Sequence, residues 1–267
     1  MIDSLRGGHF PLLVLELGDF LETNARKAPL VNPFLVETLV RDGVAAVTPG
    51  PAEFSQWDSF RGWMAGREIG IVSTNVAEET GAAAQPADRD PRAPVAPSLV
   101  VDVEGVRVGL LGVIGEEAFG EIAPAERARF TRRDARQAIE EQLPGLRARA
   151  DLVVALACVG DQEAETLARE IPELQVVLSG FESLSSARPY LCGPTTIVNR
   201  SGSRGQYMGI TRLILSPDNR ILDWGGRNIA LQLTYPEDAD LAARVEELTA
   251  QLEGRPVGSP AQTESCH

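Results

Sequence analysis

Asp19 is the first residue in this sequence whose position indicates chemistry. Residues 12–17, Leu-Leu-Val-Leu-Glu-Leu, predict a buried strand that ends in the turn Gly18-Asp19. In open α/β sheets, ligands bind at the carboxyl ends of the strands. Asp19 therefore lies where a catalytic carboxylate would lie. The structural alternative is that Asp19 accepts a hydrogen bond in its own turn, as aspartates after strands commonly do.

Glu53 follows a second strand-like run in the same way. Residues 44–48 are Val-Ala-Ala-Val-Thr, and they lead into the turn Pro49-Gly50-Pro51-Ala52-Glu53-Phe54. Parallel strands place their carboxyl ends at one edge of the sheet, so this turn is predicted to lie beside Asp19. Glu53 is a candidate for the cleft, and packing of the turn is its structural alternative.

The two turns resemble those of the metallophosphoesterase (calcineurin-like) superfamily, and most closely its 5′-nucleotidase/2′,3′-cyclic-nucleotide phosphodiesterase branch. In that family the second motif is Gly-Asn-His-Glu-Phe-Asp. This chain keeps Gly50, Glu53 and Phe54, with Pro51 in place of the Asn and Ala52 in place of the His. The family mechanism uses two metal ions held by Asp, Asn and His, so the resemblance implies divalent ions of the Mn, Zn, Co or Fe class.

The remaining ligand positions of the family are also altered. The resemblance places Asp19 on the bridging Asp, which is the one ligand position that this chain retains. Cys158 stands where the family has a His ligand, and Phe181 and Ser183 replace both histidines of a Gly-His-x-His motif. Proline, phenylalanine and serine side chains do not supply the donors that these metals need. The chain has two histidines, His9 and His267, and neither is in a motif position.

Three functions remain open from the sequence. The first is a degenerate, non-catalytic relative that acts as a binding or interaction module for a protein partner or a neighbouring domain, with no cofactor. The second is a divergent metal-dependent phosphohydrolase, a nucleotidase or phosphodiesterase. The third is a repurposed site in which Cys158, Cys192, Glu182 and Asp19 converge and bind a softer metal or exchange thiols.

The amino-acid composition argues against some classes of binding partner. The net charge of −13 and the lack of a Lys/Arg-rich block argue against nucleic acid as a partner. No apolar run is long enough to span a membrane, and the first residues have no signal-peptide pattern, which by itself predicts a cytoplasmic protein. The family's exported members point instead to the periplasm. Three cysteines do not form a disulfide framework.

The fold predicted is an α/β protein, a four-layer α/β/β/α metallophosphoesterase-like sandwich with mixed sheets that lacks the first strand of that fold. Alternating strands and helices over residues 11–180 predict a parallel sheet, with a hairpin at Glu104-Gly105 and antiparallel strands over 195–235. We divide the chain into a domain over residues 1–235 with a surface loop at 77–97, a helix at 236–254 and a polar tail at 255–267. The abrupt start predicts a fragment of a longer chain.

Overall fold

A computed structural model describes residues 2–8, 10–79, 92–181, 184–202, 205–232, 235 and 237–254. The helices are α1 (Ile2–Arg6), α2 (Ala28–Arg41), α3 (Pro51–Ser55), α4 (Trp57–Met64), α5 (Glu116–Gly120), α6 (Pro124–Arg127), α7 (Ala135–Arg147), α8 (Asp161–Glu170) and α9 (Ala239–Glu253). The strands are β1 (Val14–Glu16), β2 (Val44–Val47), β3 (Gly70–Val72), β4 (Val76–Glu78), β5 (Val95–Ala96), β6 (Leu99–Val103), β7 (Val106–Ile114), β8 (Phe130–Arg132), β9 (Leu152–Cys158), β10 (Val176–Ser179), β11 (Tyr190–Cys192), β12 (Thr196–Arg200), β13 (Tyr207–Leu215) and β14 (Ile221–Ala230).

Two sheets form the centre of the molecule. The first has four parallel strands in the order β1-β2-β3-β5. The second has six strands in the order β11-β12-β10-β9-β7-β6, in which β12, β10, β9 and β7 are parallel and the outer strands β11 and β6 are antiparallel to their neighbours. β13 and β14 form an antiparallel hairpin, and β4 pairs with β8. Each of these strand pairs lies within the part of the chain that the structure describes.

Three hydrophobic clusters correspond to the three interfaces of a four-layer sandwich. One joins the first sheet to α2–α4, a second joins the facing sides of the two sheets, and a third joins the six-stranded sheet to α7 and α8. Every residue of β9 is buried, which explains its unbroken apolar sequence, because both of its faces are covered. The predicted α/β/β/α architecture and the hairpin at Glu104-Gly105 are confirmed.

Local predictions in the first half of the chain differ from the structure at two places. The loop predicted at 77–97 is shorter, because β4 and β5 occupy its ends, and residues 80–91 lie outside the described part. The sequence Asn32-Pro33 before an apolar helical pattern predicts a helix capped at Asn32, whereas α2 begins at Ala28. Asn32 is buried inside the helix, where its amide exchanges hydrogen bonds with the backbone of Glu22 (2.8 and 3.0 Å).

The strands predicted as antiparallel over 195–235 belong to two structures. β12 pairs in parallel with β10 and antiparallel with β11, so it extends the six-stranded sheet. The sequence predicts separate strands at 220–224 and 228–235, whereas the structure has one continuous strand, β14, over Ile221–Ala230. α9 lies on α2 through ion pairs of Arg41 with Asp238 (2.5 Å) and Arg244 with Glu37 (3.3 Å). No described helix is both long enough and apolar enough to cross a membrane.

Candidate active-site edge

The carboxyl ends of parallel strands bring the predicted residues to one edge of the molecule. Asp19 follows β1, Glu53 lies in α3 directly after β2, Cys158 ends β9 and Phe181 follows β10. The negative charges of Glu53 and Asp19 both contribute to the raised pKa of the Cys158 thiol, which places these three groups in one neighbourhood. The structure therefore joins four positions that are widely separated in sequence.

Glu53 is a structural anchor at this edge. Its side chain is fully buried, and its carboxylate accepts four backbone hydrogen bonds. Oε2 accepts from the N–H groups of Asp19 (2.6 Å) and Gly50 (2.8 Å), and Oε1 accepts from those of Phe20 and Leu21 (both 3.1 Å). Burial raises the pKa of Glu53, and these N–H groups oppose the rise. Both carboxylate oxygens are thus engaged in holding the turn.

Asp19 completes the same link from the opposite side. Its Oδ1 accepts a hydrogen bond from the N–H of Ala52 (3.1 Å), at the first turn of α3. The residue is exposed and has a positive φ of 59°. The preceding residue also has a positive φ, +82°, and an added Cβ there would lie 2.3 Å from the carbonyl oxygen of Thr48, so this position requires Gly18. Asp19 thus caps a neighbouring segment, a variant of the structural alternative expected from the sequence.

Three of the positions where the resemblance places metal ligands or catalytic residues are filled by hydrophobic packing. Ala52, Cys158 and Phe181 are 3%, 1% and 4% exposed, and all belong to the cluster between the first sheet and α2–α4. Pro51 is buried as well and supplies the first residue of α3, where proline favours helix initiation. At these positions the edge of the sheet is packed with apolar side chains and does not present polar metal ligands.

Glu16 is a titratable group at this edge that the sequence interpretation did not identify. It is partly buried near the end of β1, and its Oε1 accepts a hydrogen bond from the N–H of Leu17 (3.0 Å). Burial raises the pKa of Glu16 to about 7, and the charge of Glu53 adds to the rise. In the sequence, the indication of this group is a single acidic residue inside the apolar run 12–17.

The two cysteines of the predicted thiol site do not meet. Cys158 lies in the cluster beneath α2–α4, whereas Cys192 lies in the cluster on the far side of the six-stranded sheet, with its Sγ 3.7 Å from Nη1 of Arg169. Burial raises the pKa of Cys158 well above its usual value, which suppresses thiolate chemistry. Glu182, Ser183, His9 and His267 lie outside the described residues.

The donors present do not fit the two-metal centre that the resemblance implies. The described ranges contain no group of three or more His, Cys, Asp or Glu side chains that could hold a metal ion. Both oxygens of Glu53 accept from backbone N–H groups, and Oδ1 of Asp19 accepts from the N–H of Ala52. By the resemblance, Ala52 stands in place of a histidine that stabilises the transition state and Phe181 in place of a metal-ligand histidine, and neither hydrocarbon side chain supplies a donor.

Comparisons with solved structures give the fold. A 5′-nucleotidase precursor from Thermus thermophilus matches with a TM-score of 0.76 at 18% identity, over 95% of this chain and 52% of that one. The sulfate thiohydrolase SoxB, also from Thermus thermophilus, matches with a TM-score of 0.77 at 17% identity, over 94% and 45%. The calcineurin-like phosphoesterase YfkN of Bacillus subtilis matches with a TM-score of 0.67 at 16% identity, over 95% and 86%.

This chain spans about half the length of the Thermus nucleotidase and of SoxB. No protein-family model matches the chain, and no curated protein matches it. The neighbours are 5′-nucleotidases and calcineurin-like phosphoesterases, so the predicted 5′-nucleotidase-like phosphoesterase fold is confirmed.

Proposed function

We propose that this chain is a phosphoesterase-fold protein whose former catalytic edge no longer holds metal, and that it acts as a binding or interaction module. The observation that carries the proposal is the packing of Ala52, Cys158 and Phe181 in one buried hydrophobic cluster. A pair of hydrated divalent ions would have to displace these apolar groups and then find nitrogen or carboxylate donors in their place. In this proposal, the protein retains the phosphoesterase fold and uses its surface to bind a partner.

The commitments of the two acidic residues support the same proposal. In a working centre, the carboxylate on β1 has to face a metal ion, whereas Oδ1 of Asp19 accepts from the N–H of Ala52 (3.1 Å). Glu53 has four backbone donors of its own. Both acids therefore help to join the turn after β1 to α3, and for Glu53 this structural role uses both carboxylate oxygens.

A divergent metal-dependent phosphohydrolase is the second candidate, favoured by one observation. Asp19 is exposed at the edge of a fold shared with proteins described as nucleotidases and phosphoesterases. In this alternative, Asp19 would anchor an ion of the Mn, Co, Zn or Fe class together with groups outside the described residues.

Hydrolysis assays separate the two candidates. The chain is incubated with aryl phosphate monoesters and diesters in the presence of Mn²⁺, Co²⁺ or Zn²⁺, and wild type is compared with Asp19→Asn. The proposal predicts no metal-dependent turnover in either protein. Turnover in wild type that Asp19→Asn abolishes, with the same fold by circular dichroism, would overturn it in favour of the hydrolase.

A further inference from the structure

In the described part of the chain, buried polar side-chain atoms without a hydrogen-bond partner are concentrated around the end of β12. They are Oδ1 of Asp161, Oδ1 of Asn199, Nε of Arg200 and Oδ1 of Asn228. Asn199 and Arg200 are the last two residues of β12. Arg200 pairs with Asp161 (2.7 Å), and its carbonyl oxygen accepts from Nδ2 of Asn228 (2.5 Å). Folded proteins pair nearly all buried polar atoms, so this cluster indicates a bound partner.

The two asparagines carry the argument, because the ion pair lies closer to solvent. The side chains of Arg200 and Asp161 are 24% and 26% exposed, and they already bind each other. Asn199, in contrast, is 2% exposed. Its Nδ2 donates to Oγ1 of Thr211 on β13 (3.0 Å), so its amide faces the hairpin formed by β13 and β14. An amide oxygen buried this deeply needs a donor.

The orientation of the Asn228 amide is fixed by its neighbours. Its Nδ2 donates to two carbonyl oxygens, those of Ser186 (2.6 Å) and Arg200 (2.5 Å). Carbonyl oxygens only accept, so the amide cannot be turned round to present its nitrogen elsewhere. Its Oδ1 faces Gly209, the residue opposite Asn228 in the hairpin. Asn228 therefore offers a buried acceptor at that position.

Gly209 marks the point at which the two amides meet. A Cβ added to Gly209 would lie 3.1 Å from Oδ1 of Asn228 and 3.1 Å from Nδ2 of Asn199. These two atoms are thus no farther apart than twice this distance. They are not hydrogen-bonded to each other, since Oδ1 of Asn228 has no partner in the described structure. One water molecule spans such a gap, because each of its hydrogen bonds is about 2.8 Å long.

The chemistry of the surroundings favours water over other small guests. The described hydrogen-bond partners of the two amides are uncharged: the hydroxyl of Thr211 and the carbonyl oxygens of Ser186 and Arg200. Divalent cations select sites that supply carboxylates. An apolar guest would leave both amide oxygens unpaired. A water molecule has two hydrogens to donate, which matches the two unpaired oxygens.

We propose that an internal water molecule lies beside Gly209 and donates its hydrogens to Oδ1 of Asn199 and Oδ1 of Asn228. It joins β12 of the six-stranded sheet to β14 of the hairpin, and the missing side chain at residue 209 leaves space for it. Farther along the same interface the contacts are apolar, through Ile197, Leu213 and Trp224. The water therefore forms the polar end of this interface, and the proposal is independent of the proposed function.

Two substitutions at Gly209 separate a water site from simple crowding. Gly209→Ala and Gly209→Ser both place a Cβ at the crowded position and fill the space beside the two amides. The serine hydroxyl also donates a hydrogen bond, so it replaces the water for one amide oxygen. Gly225→Ala and Gly225→Ser are the matched controls on β14, where an added Cβ meets no atom within 4 Å.

The readouts on the full chain are urea denaturation and oxygen-17 magnetic relaxation dispersion, which counts long-lived internal waters. Gly209→Ala should lower the urea midpoint and remove one long-lived water, because both amide oxygens lose their donor. Gly209→Ser should also remove the water but should lower the midpoint by less. At Gly225, the alanine and serine variants should have similar midpoints and the same water count as wild type.

Three results would overturn the proposal. The first is a midpoint for Gly209→Ser at or below that of Gly209→Ala, and the second is an unchanged water count in Gly209→Ala. The third is a wild-type midpoint that is higher in sodium chloride than in choline chloride at equal ionic strength, a difference that Gly209→Ala removes, because this would assign a sodium ion to the site. If the Gly209 variants do not fold, a wild-type crystal structure decides. A water within hydrogen-bond distance of both amide oxygens would support the proposal, and its absence would contradict it.

Discussion

Replacing Glu53 by glutamine should destabilise the chain strongly, although the change replaces only one oxygen. In the folded protein, Oε1 and Oε2 each accept two backbone N–H groups. In Glu53→Gln, an NH₂ group faces one of these pairs of donors. Two buried N–H groups are then left without an acceptor, and each costs about 1–3 kcal/mol.

The predicted loss in the free energy of unfolding is therefore about 2–6 kcal/mol. This is a large share of the roughly 5–15 kcal/mol that holds a typical domain together. Urea denaturation followed by circular dichroism measures it directly. The matched control is Glu246→Gln on the exposed side of α9, which should change stability by less than about 0.5 kcal/mol. A loss below about 1 kcal/mol for Glu53→Gln would refute the view that Glu53 organises the candidate active-site edge.

Three further predictions address the same edge. Glu16 has a pKa raised from 4.5 to about 7, so the folded chain retains a proton there that the unfolded chain releases. The free energy of unfolding should accordingly fall by at most about 3 kcal/mol as pH rises from 4.5 to 7. Glu16→Gln should remove this pH dependence in urea denaturation curves. The same pH dependence in wild type and variant would contradict the prediction. Gly18→Ala should lower the free energy of unfolding by at least about 2 kcal/mol, because Gly18 has a positive φ and an added Cβ would contact Thr48. Gly62→Ala in α4, where the added Cβ meets open space, should raise it by about 0.5–1 kcal/mol. Similar urea midpoints for the two variants would count against the close approach at Gly18. Cys158 should resist iodoacetamide in the native protein at about pH 8 and react after unfolding, as read by peptide mapping, and rapid native labelling would show that the cluster is open.

Much of the fold follows from periodicity and punctuation in the sequence. The run of apolar residues that becomes β9 and the turn at Glu104-Gly105 needed no tertiary information to predict. The predicted strand at β12 exists and pairs antiparallel with β11, but its parallel pairing with β10 was not predicted, because local sequence does not specify where β10 lies. Asn32 resembled a helix cap, but its amide is used by the backbone of Glu22 across a turn.

The site was predictable in position and only partly in role. Asp19 and Glu53 were placed at the same edge because both follow strands. Their hydrogen bonds join segments 32 to 34 residues apart, so the link between Glu53 and the turn after β1 could be known only from the folded chain. The same holds for Ala52, Cys158 and Phe181, whose common cluster depends on three distant elements.

The central claim is that the former catalytic edge no longer holds metal, and Mn²⁺ binding tests it most directly. Electron paramagnetic resonance of free Mn²⁺, titrated into the full chain at neutral pH, counts bound ions without reference to any substrate. The account predicts no saturable site that depends on Asp19, so wild type and Asp19→Asn should give the same titration. A stoichiometric site in wild type that is lost in Asp19→Asn would contradict it and would establish Asp19 as a metal ligand.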